Sequence, residues 1–542
     1  METAVAKPEV FTRKASGLVR VMSPYSAFIY NILTMGLIFP WTYLWGPGAL
    51  PGGSLFWGII LAMLFEVPIA FTYVWLSTAM PRSGGDYVFQ SRAFGGFWGF
   101  TILMSGFVIW ILQWVALSGW LLSYLGFAPL FLGLGATLSN PTLSQIGVWF
   151  TTPWGIVIVS ILNALLSLLL LVSGFKNYVK VQYVMFYGIL IAFATMLIVL
   201  FTTPTSQFVE RLNAFAVASG GAPNFYQTAK DAVTAAGIDL NPPFNFFNTL
   251  MVAAVAWTSL QWATYSAEQN GEIKDARSFK SQTFILVGSL IMTGILLAIL
   301  GIAFQRVGGT EFLYIAGAGY WSGIQEATIN GFWLWPNILA VALTGSPIVV
   351  ILIGVGYILN SFQIVNNCYI GVTRIMVAMS LDRLLPAWFS EVSERFHTPV
   401  NAHIAYFLAS IPVILLYNLY PNWAPLTLGV TFACGYVFAS SALAGAVFPY
   451  RAKEIYEASP GAKYKLGNIP WVTILGTLGA IFGFGMVLSY LLVPALGLTS
   501  VLAYSVVFGI ILFSALWYVI VKRAQKARGI DVDYAFKEIP PD

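Results

Sequence analysis

The sequence predicts an all-α protein that crosses a membrane about twelve times. Hydrophobic residues make up 58% of the 542-residue chain, charged residues make up 9%, and the mean hydropathy is +0.80. A soluble domain carries about 25% charged residues, so this composition excludes a soluble protein. Long apolar runs recur along the chain, and inside a bilayer such runs satisfy their backbone groups as helices.

Twelve apolar runs lie close to the ~20 residues that span the hydrocarbon core. Segments 1–5 and 6–10 each contain an odd number of crossings, so a second copy of a five-helix unit would be inverted in the membrane. Segments 1–5 and 6–10 could therefore form two inverted halves. The predicted segments are 24–46, 55–80, 97–126, 153–173, 178–202, 246–268, 282–304, 346–375, 400–418, 427–448, 470–492 and 500–521.

These segments divide the chain into six regions. They are a cytoplasmic leader at 1–23, a first five-helix repeat at 24–202, an extracellular loop at 203–245, a second five-helix repeat at 246–448, helices 11 and 12 at 470–521, and a cytoplasmic tail at 522–542. Residues 1–23 lack a cleavage-site pattern, so we expect a leader and not a signal peptide.

The distribution of Lys and Arg predicts that both termini lie in the cytoplasm. With the N-terminus inside, 23 of the 26 basic residues fall on cytoplasmic segments, and only Arg211, Lys230 and Arg306 fall outside. Cytoplasmic loops attract basic residues in this way. The net charge of +5 is therefore a mark of topology and not a nucleic-acid footprint. We expect a multi-pass protein of the plasma membrane, embedded in the lipid bilayer, with no nucleic-acid partner.

Few residues are available for catalysis or metal binding. Cys368 and Cys434 lie inside predicted helices without metal-type spacing, and His397 and His403 lie in or beside one loop. Cysteines in such positions usually pack as apolar side chains. We expect no enzymatic activity, no cofactor and no metal.

Segment 1 contains a weak point in its helix, with Gly36 near the middle and Pro40 four residues later. Proline removes a hydrogen-bond donor and clashes with the carbonyl four residues before it. Amides freed at the N-terminus of a half-helix can bind a carboxylate. The alternative is a simple kink, which is common in membrane helices.

Segment 6 is unusually polar for the middle of a membrane. Its hydroxyl and amide side chains could contact a substrate or satisfy an unwound backbone, whereas the alternative is hydrogen bonding between helices. Weak points in segments 1 and 6, five helices apart, are typical of an inverted-repeat carrier. The candidate substrate-binding residues here are Trp257, Thr258, Ser259, Gln261 and Trp262.

Three further sites hold polar side chains at membrane depth. Glu66 lies near the centre of segment 2, where an ionisable group must be paired, protonated or facing water. It is a candidate proton site, or a protonated carboxyl group bonded to a neighbouring helix. Asn360 and Ser361 in segment 8 suit either an ion or a helix contact. Gln113 is a weaker candidate for substrate contact, because an amide beside aromatic side chains on one helix face is more often packing.

Three stretches of the sequence resemble motifs of the amino acid–polyamine–organocation (APC) superfamily of permeases. Pro81–Tyr87 (PRSGGDY) is similar to its P-x-S-G-G-x-Y turn, and Gly271–Arg277 (GEIKDAR) is similar to its E-(V/I)-K-(N/D)-P-x-R element. Arg374–Pro386 resembles its R-x-x-x-A-M-A-x-D-x-x-L-P element. Their order along the predicted topology makes the combined resemblance specific.

The resemblance implies a leucine-transporter-like fold with substrate between broken helices 1 and 6, against helices 3, 8 and 10. It implies that backbone carbonyls between Trp257 and Thr264 bind an α-amino group. Two positions depart from the family: Trp75 stands where members often carry glutamate, and helix 5 lacks the lysine of many proton-coupled members. The family's carboxylate-binding backbone corresponds to Thr34, Met35, Gly36 and Leu37.

Taken together, we expect a secondary active transporter that moves amino acids by alternating access. The predicted pocket offers no obvious counter-charge, which favours neutral zwitterionic substrates. Proton coupling, sodium coupling, exchange and uniport all remain open. The alternatives are a channel, a carrier for a polyamine, nucleobase or other organic cation, and a membrane sensor that binds without transport.

Overall fold

The computed structural model describes residues 17–38, 46, 48–420, 423 and 428–539, and this part of the chain is almost entirely helical. Its helices up to the middle of the chain are α1 Pro24–Met35, α2 Leu55–Ala79, α3 Gly85–Phe94, α4 Gly96–Thr137, α5 Pro141–Trp149, α6 Pro153–Val172, α7 Phe175–Thr202, α8 Phe208–Ala218, α9 Phe225–Ala235 and α10 Phe246–Leu260. A 3₁₀ stretch, Gln261–Glu268, follows α10 directly.

The later helices pack against helices of this first group. They are α11 Phe279–Ser322, α12 Pro336–Ala342, α13 Pro347–Leu381, α14 Val400–Leu419, α15 Leu428–Arg451, α16 Lys453–Glu457, α17 Trp471–Leu492 and α18 Val501–Ala527. Two short antiparallel hairpins complete the described part: β1 Thr328–Ile329 with β2 Phe332–Trp333, and β3 Lys465–Leu466 with β4 Ile469–Pro470.

Ten helices of the described residues are long and apolar enough to cross a membrane. They correspond to predicted segments 2–5 and 7–12. Segment 1 is described only in part, because 39–45 lie outside the described residues. Segment 6 is divided between α10 and the 3₁₀ stretch, so no single helix covers its full length. The described chain is therefore a multi-pass membrane protein.

Several predicted boundaries differ from the structure. Helix α4 runs to Thr137 rather than 126, through two π-helical stretches. Helix α11 extends past the predicted end at 304, and Gly309, with φ 73°, redirects the chain within it. The predicted loop at 203–245 contains helices α8 and α9, because Phe225, Ala229 and Val233 recur every four residues and are all buried.

The packing brings the two predicted weak points together. Helix α1 packs against the 3₁₀ stretch after α10, α10 packs against α2, and α7 packs against α13. On the outer face of the bundle, Leu162, Leu166 and Leu169 of α6 expose 51%, 56% and 59% of their surfaces. Apolar side chains exposed at helical spacing indicate a surface that contacts lipid.

Candidate functional site

Helix α1 ends at Met35, in the middle of predicted segment 1. Gly36 follows with φ 79° and ψ 117°, a conformation that residues with a side chain adopt only with strain. Its amide still donates to the carbonyl of Ile32 at 3.0 Å, which closes the last helical turn. Glycine at this position therefore stops the helix within the membrane. Pro40, which the sequence analysis named with Gly36 as the weak point of segment 1, lies outside the described residues.

The backbone beyond Gly36 leaves hydrogen-bonding groups available. The amides of Leu37 and Ile38 have no acceptor among the described residues. The carbonyl of Ile38 accepts a hydrogen bond from the Tyr357 hydroxyl at 2.8 Å, so α13 braces the broken segment. Unpaired amides at membrane depth are costly unless they line a cavity or meet a ligand.

The second break follows Leu260, where regular α-helix changes to 3₁₀ geometry over eight residues. A 3₁₀ turn bonds each amide to the third preceding carbonyl, which is a tighter and weaker arrangement than the α-helix. Since the partial negative charge of a helix gathers at its C-terminus, the end of α10 favours a cation. The C-terminal end of α1 at Met35, which packs against the 3₁₀ stretch, also favours a cation.

A cavity of ≈ 30 Å³ lies between these two breaks. A buried water needs about 10–15 Å³ by this measure, so the cavity holds roughly two waters and must enlarge to admit a larger molecule. Among the described residues, the lining contains aromatic, apolar, hydroxyl and amide side chains and no charged one. The lining residues are Thr34, Met35, Gly36, Trp114, Thr258, Ser259, Trp262, Tyr265, Ile364, Asn367 and Cys368.

Six of the residues predicted from the sequence line this cavity: Thr34, Met35, Gly36, Thr258, Ser259 and Trp262. The other four predicted substrate residues do not. Leu37 is fully buried beside the break, and Gln261 is fully buried with no partner among the described residues for either amide atom. Gln113 turns away, and its Oε1 accepts a hydrogen bond from Trp423 Nε1 at 3.0 Å.

The fourth, Trp257, contacts Glu66 instead of the cavity. Its indole Nε1 donates to Glu66 Oε2 at 2.6 Å, which joins α10 to α2. Glu66 is fully buried, and its Oε1 has no partner among the described residues. This geometry matches the alternative in which the carboxyl group bonds to a neighbouring helix.

The two predicted ion-coupling residues of α13 also lie outside the cavity lining. Ser361 donates to the carbonyl of Tyr357 at 2.8 Å, within its own helix. Asn360 is fully buried, and both its amide atoms lack partners among the described residues. It lies one helical turn from Ile364, which does line the cavity.

The sequence argument did not assign substrate contact to the other five lining residues: Trp114, Tyr265, Ile364, Asn367 and Cys368. The helical spacing of Ile364, Asn367 and Cys368 could have marked one face of α13. Trp114 and Tyr265 carry no comparable signal, because aromatic side chains at such positions usually belong to the core.

Asn367 links three helices at the edge of the cavity. Its Nδ2 donates to Thr34 Oγ1 on α1, and its Oδ1 accepts from Tyr178 of α7 at 2.8 Å. Gln363 donates to both Asn367 Oδ1 and the Tyr178 hydroxyl at 2.6 Å. The network holds the hydroxyl of Thr34 in place. Any movement of α1 must therefore either break these hydrogen bonds or move the bonded residues with it.

The three family-like stretches meet at one end of the bundle, which we call the motif face. Arg374 binds Glu272 through two hydrogen bonds, and both side chains are buried. Arg92 binds Asp382 at 2.9 Å, and the Tyr87 hydroxyl donates to the same carboxylate at 2.9 Å. The stretches are far apart in sequence, so only the fold brings these charges together.

Two carboxyl groups at the motif face have no basic partner among the described residues. Asp86 accepts hydrogen bonds from Tyr73 and Ser441, and its backbone amide donates to Glu268 Oε1 at 3.3 Å. Burial raises the pKa of Asp86, and hydrogen bonds from Glu268, Ser441 and Tyr73 lower it again in part.

Trp75, which stands where family members often carry glutamate, donates to the carbonyl of Gly461 at 2.9 Å.

A bundle of membrane-length helices around a cavity at two helix breaks has the architecture of a membrane permease. A family model described as "Amino acid permease" matches residues 24–515. The chain therefore belongs to the amino acid permease family of the APC superfamily.

Three relatives match shorter stretches. The chain is 31% identical over 83 residues to "Uncharacterized protein 399" of Sulfolobus islandicus rod-shaped virus 1, which covers 15% of this chain and 21% of that protein. It is 32% identical over 143 residues to an uncharacterized transporter of Rhizobium meliloti (strain 1021), covering 25% and 29%. It is 29% identical over 180 residues to a "Putative polyamine transporter" of Candida albicans, covering 31% and 30%. Each match spans less than a third of the relative's length.

Proposed function

We propose that this protein is a secondary active transporter that moves neutral, zwitterionic amino acids across the plasma membrane by alternating access. The observation that carries the proposal is the uncharged cavity between the ends of α1 and α10. A zwitterion brings one positive and one negative group. It therefore needs backbone carbonyls for the positive group and backbone amides for the negative group, rather than a buried counter-ion.

The two breaks supply both kinds of dipole. The C-terminal ends of α1 and α10 favour the α-ammonium group. The amides of Leu37 and Ile38, which have no acceptor among the described residues, suit the carboxylate. The hydroxyls of Thr34, Thr258 and Ser259 add polar contacts at the same place.

The remaining lining favours an apolar substrate side chain. Trp114, Trp262, Ile364 and Cys368 form this part of the cavity. Because ≈ 30 Å³ is too small for an amino acid, binding requires an opened conformation. We propose that the chain crosses the membrane twelve times as two inverted five-helix repeats plus two helices. Both termini and the motif face then lie in the cytoplasm.

The test is uptake of radiolabelled amino acids into proteoliposomes, with and without pH or sodium gradients. We expect saturable uptake of neutral amino acids and competition among those with apolar side chains. A gradient that accelerates uptake identifies H⁺ or Na⁺ as the coupled ion, whereas equal rates indicate exchange or uniport. Absence of uptake or exchange for every amino acid contradicts the proposal.

The second candidate is a polyamine carrier, which the name of the Candida albicans relative favours. A polyamine carries several positive charges and needs facing carboxylates, but none of the described cavity residues is acidic. The same vesicles discriminate the two candidates, since spermidine uptake that excess neutral amino acid does not inhibit would favour the polyamine. Binding of an amino acid without flux would indicate a sensor.

A further inference from the structure

The motif face contains a buried pair of carboxyl groups that the proposed substrate site does not use. Asp86 lies in the first turn of α3 and Glu268 ends the 3₁₀ stretch, and both are fully buried. The backbone amide of Asp86 donates to Glu268 Oε1 at 3.3 Å, so the Glu268 carboxyl group lies against the residue that carries the other acid. Asp86 Oδ2 and Glu268 Oε2 each lack a donor among the described residues.

The glycine pair of the PRSGGDY turn explains how the two acids come together. Gly84 has φ 80°, and its amide donates to the carbonyl of Glu268 at 2.8 Å. A Cβ added at Gly85 would lie 2.4 Å from the carbonyl oxygen of Ala267. The backbones of the turn and the 3₁₀ stretch therefore touch, which places the side chain of Asp86 against that of Glu268.

Within the described part of the chain, the surroundings offer donors to Asp86 but no cation to either acid. Tyr73 and Ser441 donate to Asp86 Oδ1, while Tyr30 and Tyr265 lie near Glu268. The basic groups on the packed elements are engaged elsewhere. Arg92 binds Asp382, Arg374 binds Glu272, and Arg451 donates to the carbonyl of Ala93.

Two buried carboxylates on backbone segments that touch repel each other strongly, so one of them must hold a proton. Asp86 has two donors and lies in the first turn of a helix, which stabilises its negative charge. Among the described residues, the Glu268 carboxyl group accepts only the backbone amide of Asp86, at 3.3 Å. The proton therefore belongs on Glu268, which donates to Asp86 and gives the unpaired oxygens a partner.

We propose that Asp86 and Glu268 form a proton-binding site that holds one proton while the motif face is closed and releases it to water when that face opens. Opening separates α3 from the 3₁₀ stretch, so the O–H bond of Glu268 breaks, its proton passes to water, and two solvated carboxylates remain. This coupling rests on the proposed transport function, whereas the shared proton itself does not.

Infrared spectroscopy of the purified protein in lipid nanodiscs tests the shared proton directly. Glu66 is the other described carboxyl group buried without a basic partner, so the spectra are recorded in a Glu66→Gln background to remove its contribution. At pH 7 we expect a protonated-carboxyl band that shifts in heavy water and is lost in Glu268→Gln.

Two further variants complete the spectroscopic test. Asp86→Asn keeps the Glu268 carboxyl and is expected to shift the band, which keeps the proposal testable if Glu268→Gln fails to fold. Glu457→Gln alters an exposed carboxylate with 62% of its side chain accessible and is expected to change nothing. Absence of the band in the parent, or an unchanged band in Glu268→Gln or Asp86→Asn, overturns the proposal.

Proton movement tests the coupling. In proteoliposomes with an internal pH dye, we expect amino acid uptake by the unaltered protein to carry protons, and uptake by Glu268→Gln to carry none. Uptake without proton movement in the unaltered protein overturns the coupling and leaves the proposed function standing. Failure of all amino acids to be transported overturns the proposed function, and the infrared band still decides whether the proton is shared.

Discussion

Arg374 and Glu272 form a buried, two-bonded ion pair that joins α13 to the GEIKDAR stretch. Arg374 Nε donates to Glu272 Oε2 at 2.8 Å, and its Nη2 donates to Oε1 at 3.0 Å. His403 lies 3.3 Å from Nη1, and the ring of Phe175 lies 4.8 Å from the guanidinium carbon. Each charge of the pair compensates the other, which allows both side chains to be buried. The pair also joins the GEIKDAR stretch to α13 at the motif face.

Removing one partner of this pair is expected to destabilise the protein strongly. Arg374→Met leaves Glu272 buried without a cation, which costs about 3–5 kcal/mol of unfolding free energy. The double variant Arg374→Met/Glu272→Leu should recover much of this loss, because neither charge remains. Denaturant unfolding in detergent measures the difference. Lys522→Met, which breaks the exposed pair with Asp533, is the control and should cost about 0–1 kcal/mol.

Gly36→Ala is expected to reduce amino acid uptake about 5–30-fold, because each 1.4 kcal/mol or so of transition-state penalty lowers a rate tenfold. A side chain at φ 79° costs about 1–2 kcal/mol and shifts the break that forms the cavity. Gly237→Ala is the matched control, since Gly237 also has φ 79° and has no atom within 4 Å of an added Cβ. Equal uptake by the two variants would show that the break is not part of the site.

Thr258→Val is expected to abolish substrate binding while the protein still folds. The hydroxyl of Thr258 lines the cavity and also bonds to the Tyr490 hydroxyl at 3.0 Å. Tyr490→Phe removes the same bond without changing the cavity lining, so it separates the two roles. Ligand-dependent thermal stabilisation is the measurement. If Tyr490→Phe loses binding as completely as Thr258→Val, the Thr258 hydroxyl acts through packing.

Glu66→Gln is expected to leave stability nearly unchanged, because a glutamine oxygen can accept the Trp257 hydrogen bond of 2.6 Å in the same way. Glu66→Leu removes that acceptor and leaves the indole N–H buried and unpaired, at a cost of about 1–3 kcal/mol. Thermal unfolding of both variants measures the contrast. Equal losses in the two variants would mean that Glu66 is charged in the folded protein.

Stability is expected to fall as pH rises above about 4, where an unfolded carboxyl group loses its proton. Burial raises the pKa of Asp86, so the folded carboxyl pair retains a proton that the unfolded chain releases above about pH 4. A group whose pKa is raised on folding stabilises the protein below the unfolded pKa, and this contribution is lost as pH rises toward the folded value. The melting temperature of Glu268→Gln should depend less on pH than that of the unaltered protein. An equal slope in both contradicts the prediction.

The sequence predicted the helical membrane fold and the positions of ten long helices well, because length and hydropathy are local properties. It also placed a helix break at Gly36, where a glycine and a nearby proline weaken one turn. It did not place Trp114 and Tyr265 in the cavity, since the direction of an aromatic side chain depends on the packing of neighbouring helices. For the same reason it could not show that Gln113 turns toward Trp423 and Trp257 toward Glu66.

Composition alone therefore determined that this chain lies in a membrane as a bundle of helices, because apolar residues leave the backbone no other way to satisfy its hydrogen bonds there. Only the tertiary structure decided which polar residues meet. Glu268 and Glu272 are one helical turn apart in sequence, yet one faces Asp86 and the other faces Arg374. Partner choice across the bundle depends on contacts between residues that are distant in the chain, and no local pattern records them.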